Sequence, residues 1–245
     1  MTQRWLILDL CAPLMAFGGV SIDHVGPTRN FPAASMLTGL FGNALGWHWS
    51  DGPAHQALQN RLIFAARVER EGRLTTDQQN ARLYEGEAGW TTWGVTDARN
   101  KGPSYGSRDE TGRKFITHRR RRDYLADSRV LVVLRLATVD IPSLNMLAEA
   151  LNRPARPLFI GRKPCLPTRP LHSGWCEAVD AHSALTLVGT TAHAFAQWPA
   201  AEGPAGDRRI DLPDLRNWRS GLHGGSRTVV QGRMPARGGN TGATP

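Results

Sequence analysis

Nine cations fall between positions 99 and 122: Arg99, Lys101, Arg108, Arg113, Lys114 and the unbroken run Arg119, Arg120, Arg121 and Arg122. Only Asp109 and Glu110 oppose them, so this window holds a net +7 of the chain's +9. Trp90, Trp93 and Tyr105 lie just before or within it. Guanidinium groups grip phosphate in a planar fork, and flat rings or Arg planes stack on unpaired bases, so the pattern suits a single-stranded nucleic acid. A solvated basic loop is the plainer alternative. A membrane-surface segment is disfavoured, because the window lacks an amphipathic helical period.

A second basic stretch is built differently. Residues 157–171, PLFIGRKPCLPTRPL, contain four prolines and hold Arg162, Lys163 and Arg169. Proline fixes φ and removes a backbone donor, which excludes a helix interior or a central strand. A stiff, extended rail presenting three cations is expected. Catalytic signatures are sparse: the chain has no HExxH and no Walker loop. Lys114 and His118 lie four apart, a spacing compatible with an acid–base pair for RNA cleavage, although a phosphate-contacting His is the plainer reading. Cys165, His172 and Cys176 are loosely spaced and fall short of four metal ligands, so neither a metal nor another cofactor is expected.

These residues need a scaffold, and 245 residues with 40% hydrophobic content are enough to bury one. Three cysteines without a CxxC argue against a secreted disulfide framework, making the cytoplasm the expected compartment. The opening MTQRWLILDLCAPLMAFGG imitates a signal peptide, but Asp9 and Pro13 interrupt its apolar run. No stretch approaches the ~20 apolar residues that span a bilayer.

Periodicity predicts a first strand over Trp5 to Leu10. A helix follows, entered through Asn30 or Phe31 with Pro32 as its first residue, on which Met36, Leu37, Leu40, Phe41, Ala44 and Leu45 recur. Gly39, Gly42 and Gly46 are expected to flatten it for packing on a sheet. Arg61 to Arg70 reads as a second strand and Leu125 to Leu136 as a third. A second helix is expected to be capped by Ser143 and stopped by Pro154. From Glu71 to His118 the hydrophobic period disappears, which predicts either a disordered segment or a projecting functional arm. The tail from Leu171 holds two or three short strands. The order is the β-α-β-β-α-β plan of an α+β, ferredoxin-like or RNA-recognition-motif domain. The expected divisions are a domain over 1–165 with its arm at about 71–118, a small β-rich C-terminal extension over 166–232, and a flexible tail at 233–245.

Three blocks then resemble, in order, one family. APLMAFGGVSIDHVGPTRNFPAASMLTGLFGNALG is similar to its opening strand, turn and Gly-rich helix. RRDYLADSRVLVVLRL is similar to its central strand entry, and PLFIGRKPCLPTRPL to its Gly-Arg-Lys loop. The family is the Cas-five group of CRISPR-associated proteins in its type I-E form. The likeness runs from Trp5 to about Trp175 and more weakly to residue 232. It implies a RAMP-type fold and a non-catalytic subunit of the Cascade surveillance complex, serving antiviral defence. Such a subunit holds the 5′ handle of the CRISPR RNA and projects a thumb toward the adjoining guide. It also contacts the repeated backbone subunit and the large subunit, and it meets target DNA only through the complex.

The RNA-binding residues this implies are Arg29, Arg99, Lys101, Arg108, Arg113, Lys114, Arg119, Arg120, Gly161, Arg162, Lys163 and Arg169, with Trp90, Trp93 and Tyr105 stacking. Gly161 is expected to admit the handle backbone while Arg162 and Lys163 neutralise phosphate. The stiff rail and the Pro27–Phe31 turn are expected to read handle bases, and the Gly-rich arm to grip the guide without regard to sequence. Ala12 departs from the family's frequent glycine. Two alternatives stand beside this reading: a precursor-RNA endoribonuclease using Lys114 and His118, and a stand-alone single-stranded RNA-binding protein.

Overall fold

The computed structural model describes residues 1–20, 24–84, 87 and 107–235, together with the backbone of 91–92 and 95–96. The elements begin with β1 (Gln3–Cys11), β2 (Leu14–Met15), β3 (Val25–Gly26), α1 (Ala34–Ala44), α2 (Gly52–Arg61), β4 (Leu62–Arg70) and β5 (Arg73–Tyr84). The short β6 (Thr91–Thr92), β7 (Val95–Thr96) and β8 (Ser107–Arg108) precede β9 (Lys114–Ala126), β10 (Arg129–Leu136) and α3 (Leu144–Asn152). The chain continues through β11 (His172–Ala178), α4 (Ala181–Val188), β12 (Ala194–Pro199), β13 (Arg208–Arg216) and β14 (His223–Met234).

Seven strands form one sheet in the order β11-β1-β10-β4-β12-β14-β13, and the pairings along it are antiparallel. Alternate residues of its central strands point to opposite faces, and both faces are covered. Leu6, Leu8 and Leu10 of β1, Phe64 and Ala66 of β4, and Val130, Val132 and Leu134 of β10 pack under Leu37 and Phe41 of α1 and Leu147 and Leu151 of α3. On the other face, Trp5, Ala65, Val133 and Trp198 pack against Ala181 and Leu185 of α4. Each fully buried aliphatic contributes about 1.5–3 kcal/mol, so these strands and helices carry the stability. The core elements thereby hold the basic segments at their margins.

The sheet, the helices α1 and α3, and the Ser143 cap agree with the sequence reading; the Ser143 side chain accepts the Met146 N–H at 3.3 Å. Several details differ. Helix α1 starts at Ala34, beyond Pro32, and its N-cap Ala33 offers no side-chain acceptor. The acceptor comes from 180 residues away: Asp214 Oδ2 takes the Ala34 N–H at 3.1 Å. The stretch Leu125 to Leu136 is not one strand. It is the end of β9, a turn in which Asp127 adopts φ +59°, and β10. Helices α2 and α4 were not expected. Leu58 is the lone large aliphatic in α2, so that helix shows no hydrophobic period. Helix α4 is only eight residues long, although Asp180 caps it by accepting the Ser183 N–H at 2.7 Å.

The tail holds four strands, and β12 pairs with β4 through Ala196↔Arg67 and Gln197↔Ala66, extending the central sheet. Of the expected flexible tail, residues 236–245 lie outside the described residues.

Candidate nucleic-acid interface

The arm expected over 71–118 begins as a ribbon. β5 and β9 pair antiparallel without a break from Arg73↔Ala126 to Tyr84↔Phe115. At about 3.3 Å per residue the ribbon is about 40 Å long. β5 is exposed from Arg73 through Arg82, which explains why no hydrophobic period marks it. Strand alternation distributes the arginine run over both faces. Arg119 and Arg121 share a face with Arg82, while Arg120 and Arg122 share the other with Lys114 and His118. Toward the distal end, the rings of Tyr84 and Phe115 meet at 5.5 Å, with Arg113 4.3 Å over Tyr84 and Arg82 4.8 Å over Phe115. At the root, Asp123 accepts from Thr76 at 2.8 Å and pairs with Arg121 at 3.4 Å.

The root of the ribbon is tied to the proline-rich rail, and Arg162 makes the tie. Its Nη1 donates to Asp123 O at 2.9 Å, and its Nη2 to Gly26 O at 2.7 Å and to Pro27 O at 3.4 Å. The guanidinium also lies 4.9 Å over the Tyr124 ring. Gly161 has φ +89°, and a Cβ there would land on the carbonyl oxygen of Ala16. Glycine is therefore required by the chain's own backbone. Lys163, next in line, is exposed. Arg169 pairs with the buried carboxylate of Asp9 at 3.2 Å, which Arg129 also grips with two bonds of 3.0 and 2.9 Å. Backbone bonds from Thr168 to Cys11 O and from Asp9 to Leu171 O, both 2.9 Å, fix the far end of the rail against β1.

Beside the rail a groove of about 470 Å³ runs over α1. The helical glycines open it. They receive rings from α2 and from the β13–β14 connection, where packing on the sheet was expected. A Cβ at Gly42 would collide with the His55 ring. His55 in turn stacks on Trp218 at 4.5 Å and meets Trp47 edge-on at 5.1 Å. Trp218 Nε1 donates to Gln59 at 3.0 Å, and Arg216 lies 5.1 Å over its ring. Arg156 donates to Trp47 O and Gly46 O at 2.7 and 2.8 Å. Arg29 donates from Nη2 to Pro213 O at 3.1 Å, and among the described residues its buried Nη1 has no partner.

The family profile of CRISPR-associated proteins described as Cas_Cas5 matches residues 5–230. The chain belongs to this family. Its relative in Escherichia coli (strain K12), the CRISPR system Cascade subunit CasD, is 30% identical over 185 residues, covering 75% of this chain and 76% of CasD. Among solved structures, a CRISPR RNA-guided surveillance complex contains a chain that superposes with TM-score 0.63 at 20% identity, covering 95% of this chain and 91% of that one. A crystal structure of a Cas protein superposes with TM-score 0.59 at 22% identity, with 95% of both chains covered. These two likenesses bear on the fold.

In this Cas_Cas5 chain the predicted site residues fall into three groups. Arg119, Arg120 and Lys114 share β9, and Arg108 and Arg113 lie near its start. Arg108 donates to Gly112 O at 2.8 Å, and Arg113 pairs with Glu87 at 3.5 Å. Gly161, Arg162, Lys163 and Arg169 share the rail, and Arg29 lies on the groove. Arg99, Lys101, Trp90, Trp93 and Tyr105 lie outside the described residues. Lys114 and His118 share a face, but about 13 Å of strand separates their backbones. Cys165, His172 and Cys176 do not gather; among the described residues no group of three or more His, Cys, Asp or Glu does. Burial pushes the Cys165 and Cys176 thiols up, away from the thiolate that metal binding needs. No helix among the described residues is long and apolar enough to cross a membrane.

Sequence reasoning missed Trp47, His55, Trp218, Arg156 and Arg216. Trp47 belongs to the visible cluster Trp47-His48-Trp49, but its ring neighbour His55 comes from α2, and Arg216 and Trp218 share the groove with it. Local spacing carries no signal for that meeting.

Proposed function

We propose that this chain is a non-catalytic subunit of a type I-E CRISPR surveillance complex, binding the 5′ handle of the CRISPR RNA and capping the backbone of the complex. CasD, its 30%-identical relative over three quarters of both chains, is a Cascade subunit, and that relationship supports the complex and its RNA as partners. One structural observation carries the RNA-binding reading: the strand with four successive arginines, β9, is clamped at its root to the rail by Arg162. A basic ribbon and a basic loop therefore form one continuous surface, and an RNA strand running along both would have phosphates neutralised at intervals. The ribbon acts as the thumb toward the guide. The elements β1, α1, β4, β10, α3 and β11 supply the β-α-β-β-α-β plan, and their sheet order β11-β1-β10-β4 favours a ferredoxin-like domain. The repeated backbone subunit and the large subunit are its protein partners, and the complex works in the cytoplasm.

The separation of Lys114 and His118 along β9 supports a binding role over RNA cleavage, since an acid and a base must both reach one scissile phosphate. Incubating the purified chain with CRISPR repeat RNA in chelator tests this. The RNA is expected to be bound and recovered intact, and to recruit the large partner subunits on co-purification. A single specific cut would establish a processing endoribonuclease instead. Handle binding with no retained partner subunit would establish a stand-alone RNA-binding protein.

A further inference from the structure

We propose that the groove over α1 receives one unstacked nucleobase of the bound RNA, with Arg29 donating to an acceptor on its edge. The inference rests on the RNA-binding reading above and adds the place where one base is held. Four observations support it. The groove's volume, about 470 Å³, lies in the range of about 300–1,000 Å³ typical of ligand pockets, and Phe159, Gly161 and Arg162 of the rail form part of its wall. An RNA strand on the rail thus passes the mouth.

Part of the floor is apolar. Met36 and Leu40 line it, and at Gly39 an added Cβ would meet only Trp218 Cη2, at 3.7 Å. A bare phosphate gains nothing from such a floor, whereas the face of a base does. The rings Trp47 and Trp218 line the groove and are held in advance by His55, which contacts both, and by the bond to Gln59, so little freedom is lost when a base packs against this wall. Finally, the Arg29 guanidinium lines the groove, and its Nη1 is a buried donor without an acceptor among the described residues. A buried cationic donor left unpaired is costly, and a keto oxygen or ring nitrogen on a base edge would satisfy it.

The test combines the full-length chain with handle RNAs carrying an abasic site at each position in turn. In wild type one position should stand out, its loss weakening binding by about five- to a hundredfold, the worth of a stacked base. Gly39→Leu fills the groove, removes no charge and favours the helix, so the melting temperature should hold. In that variant the special position should lose its advantage: the intact RNA binds as weakly as the abasic one, and the salt dependence is unchanged. Gly39→Ala, whose methyl makes only an ordinary contact with Trp218, should keep wild-type behaviour. Arg29→Gln should reduce the penalty at the same position and at no other.

If wild type binds the handle but every abasic site costs the same, or Gly39→Leu keeps the wild-type profile, the groove does not hold a base. If Gly39→Leu misfolds, Arg29→Gln decides alone, and an unchanged profile there overturns the inference. A wild-type chain with no affinity for handle RNA overturns this inference and the functional reading together.

Discussion

Replacing Arg162 by alanine should destabilise the protein without changing how its RNA affinity depends on salt. Of its three carbonyl contacts, those to Gly26 O at 2.7 Å and Asp123 O at 2.9 Å have good hydrogen-bond distances. A hydrogen bond involving a charged group contributes about 1.5–3 kcal/mol. Discounting for the partial exposure of Arg162 leaves about 2–4 kcal/mol for the pair. In a domain of this size about 1 kcal/mol moves the melting temperature by about 2–4 °C, so a fall of about 5–15 °C is expected. Lys163 is the contrast: exposed, it should change stability by no more than about 0.5 kcal/mol when replaced by alanine. If it meets a single-strand phosphate, the salt slope should shrink by about 0.7.

Thermal melting and filter binding across a salt series separate the two residues. Arg162→Lys sharpens the comparison, because it keeps the charge yet cannot fork between carbonyls of β3 and β9. It should melt almost as early as the alanine variant. An Arg162→Ala protein that melts like wild type and loses about 0.7 of its salt slope would refute the reasoning. Arg162 would then be a phosphate ligand, and its backbone contacts incidental.

Three further outcomes are expected. Gly161→Ala should abolish the rail's conformation, because the new Cβ meets Ala16 O and φ +89° disfavours it, and the melting temperature should fall by at least as much as for Arg162→Ala. Replacing Arg119 to Arg122 by glutamine should leave melting nearly unchanged but reduce the salt slope by about 1.4–2.8, as two to four lost phosphate contacts require; an unchanged slope would remove the ribbon from the RNA path. Burial would raise the Glu69 carboxyl, but hydrogen bonds from Thr190 and Thr191 and the charge of Arg67 outweigh it and hold the group below its ordinary value. The resulting stability is present above the unfolded carboxylate range near about 4.3 and is lost as pH falls through the depressed folded value. Melting curves of wild type and Glu69→Gln should therefore differ at neutral pH and converge in acid, and a constant gap would contradict the assignment.

Much of the scaffold was legible in the residues themselves. The apolar run of β1, the recurring Leu37, Leu40 and Phe41 of α1, the Ser143 cap and the family's three ordered blocks depend on neighbours a few positions away. So does the concentration of charge at Arg119 to Arg122. Tertiary structure alone decided which way those groups face and what they touch. Arg162, read as a cation for phosphate, turns inward because carbonyls 39 and 136 residues distant converge on it. Gly161 makes room for Ala16, and Asp214 caps a helix that begins 180 residues earlier. The groove is still less local, since His55, Trp218 and the glycines of α1 are neighbours only in the tertiary fold. Propensity and period act over a turn of helix or a pair of strand residues, whereas an acceptor, a clash or a stacking partner can come from any part of the chain that the core brings near.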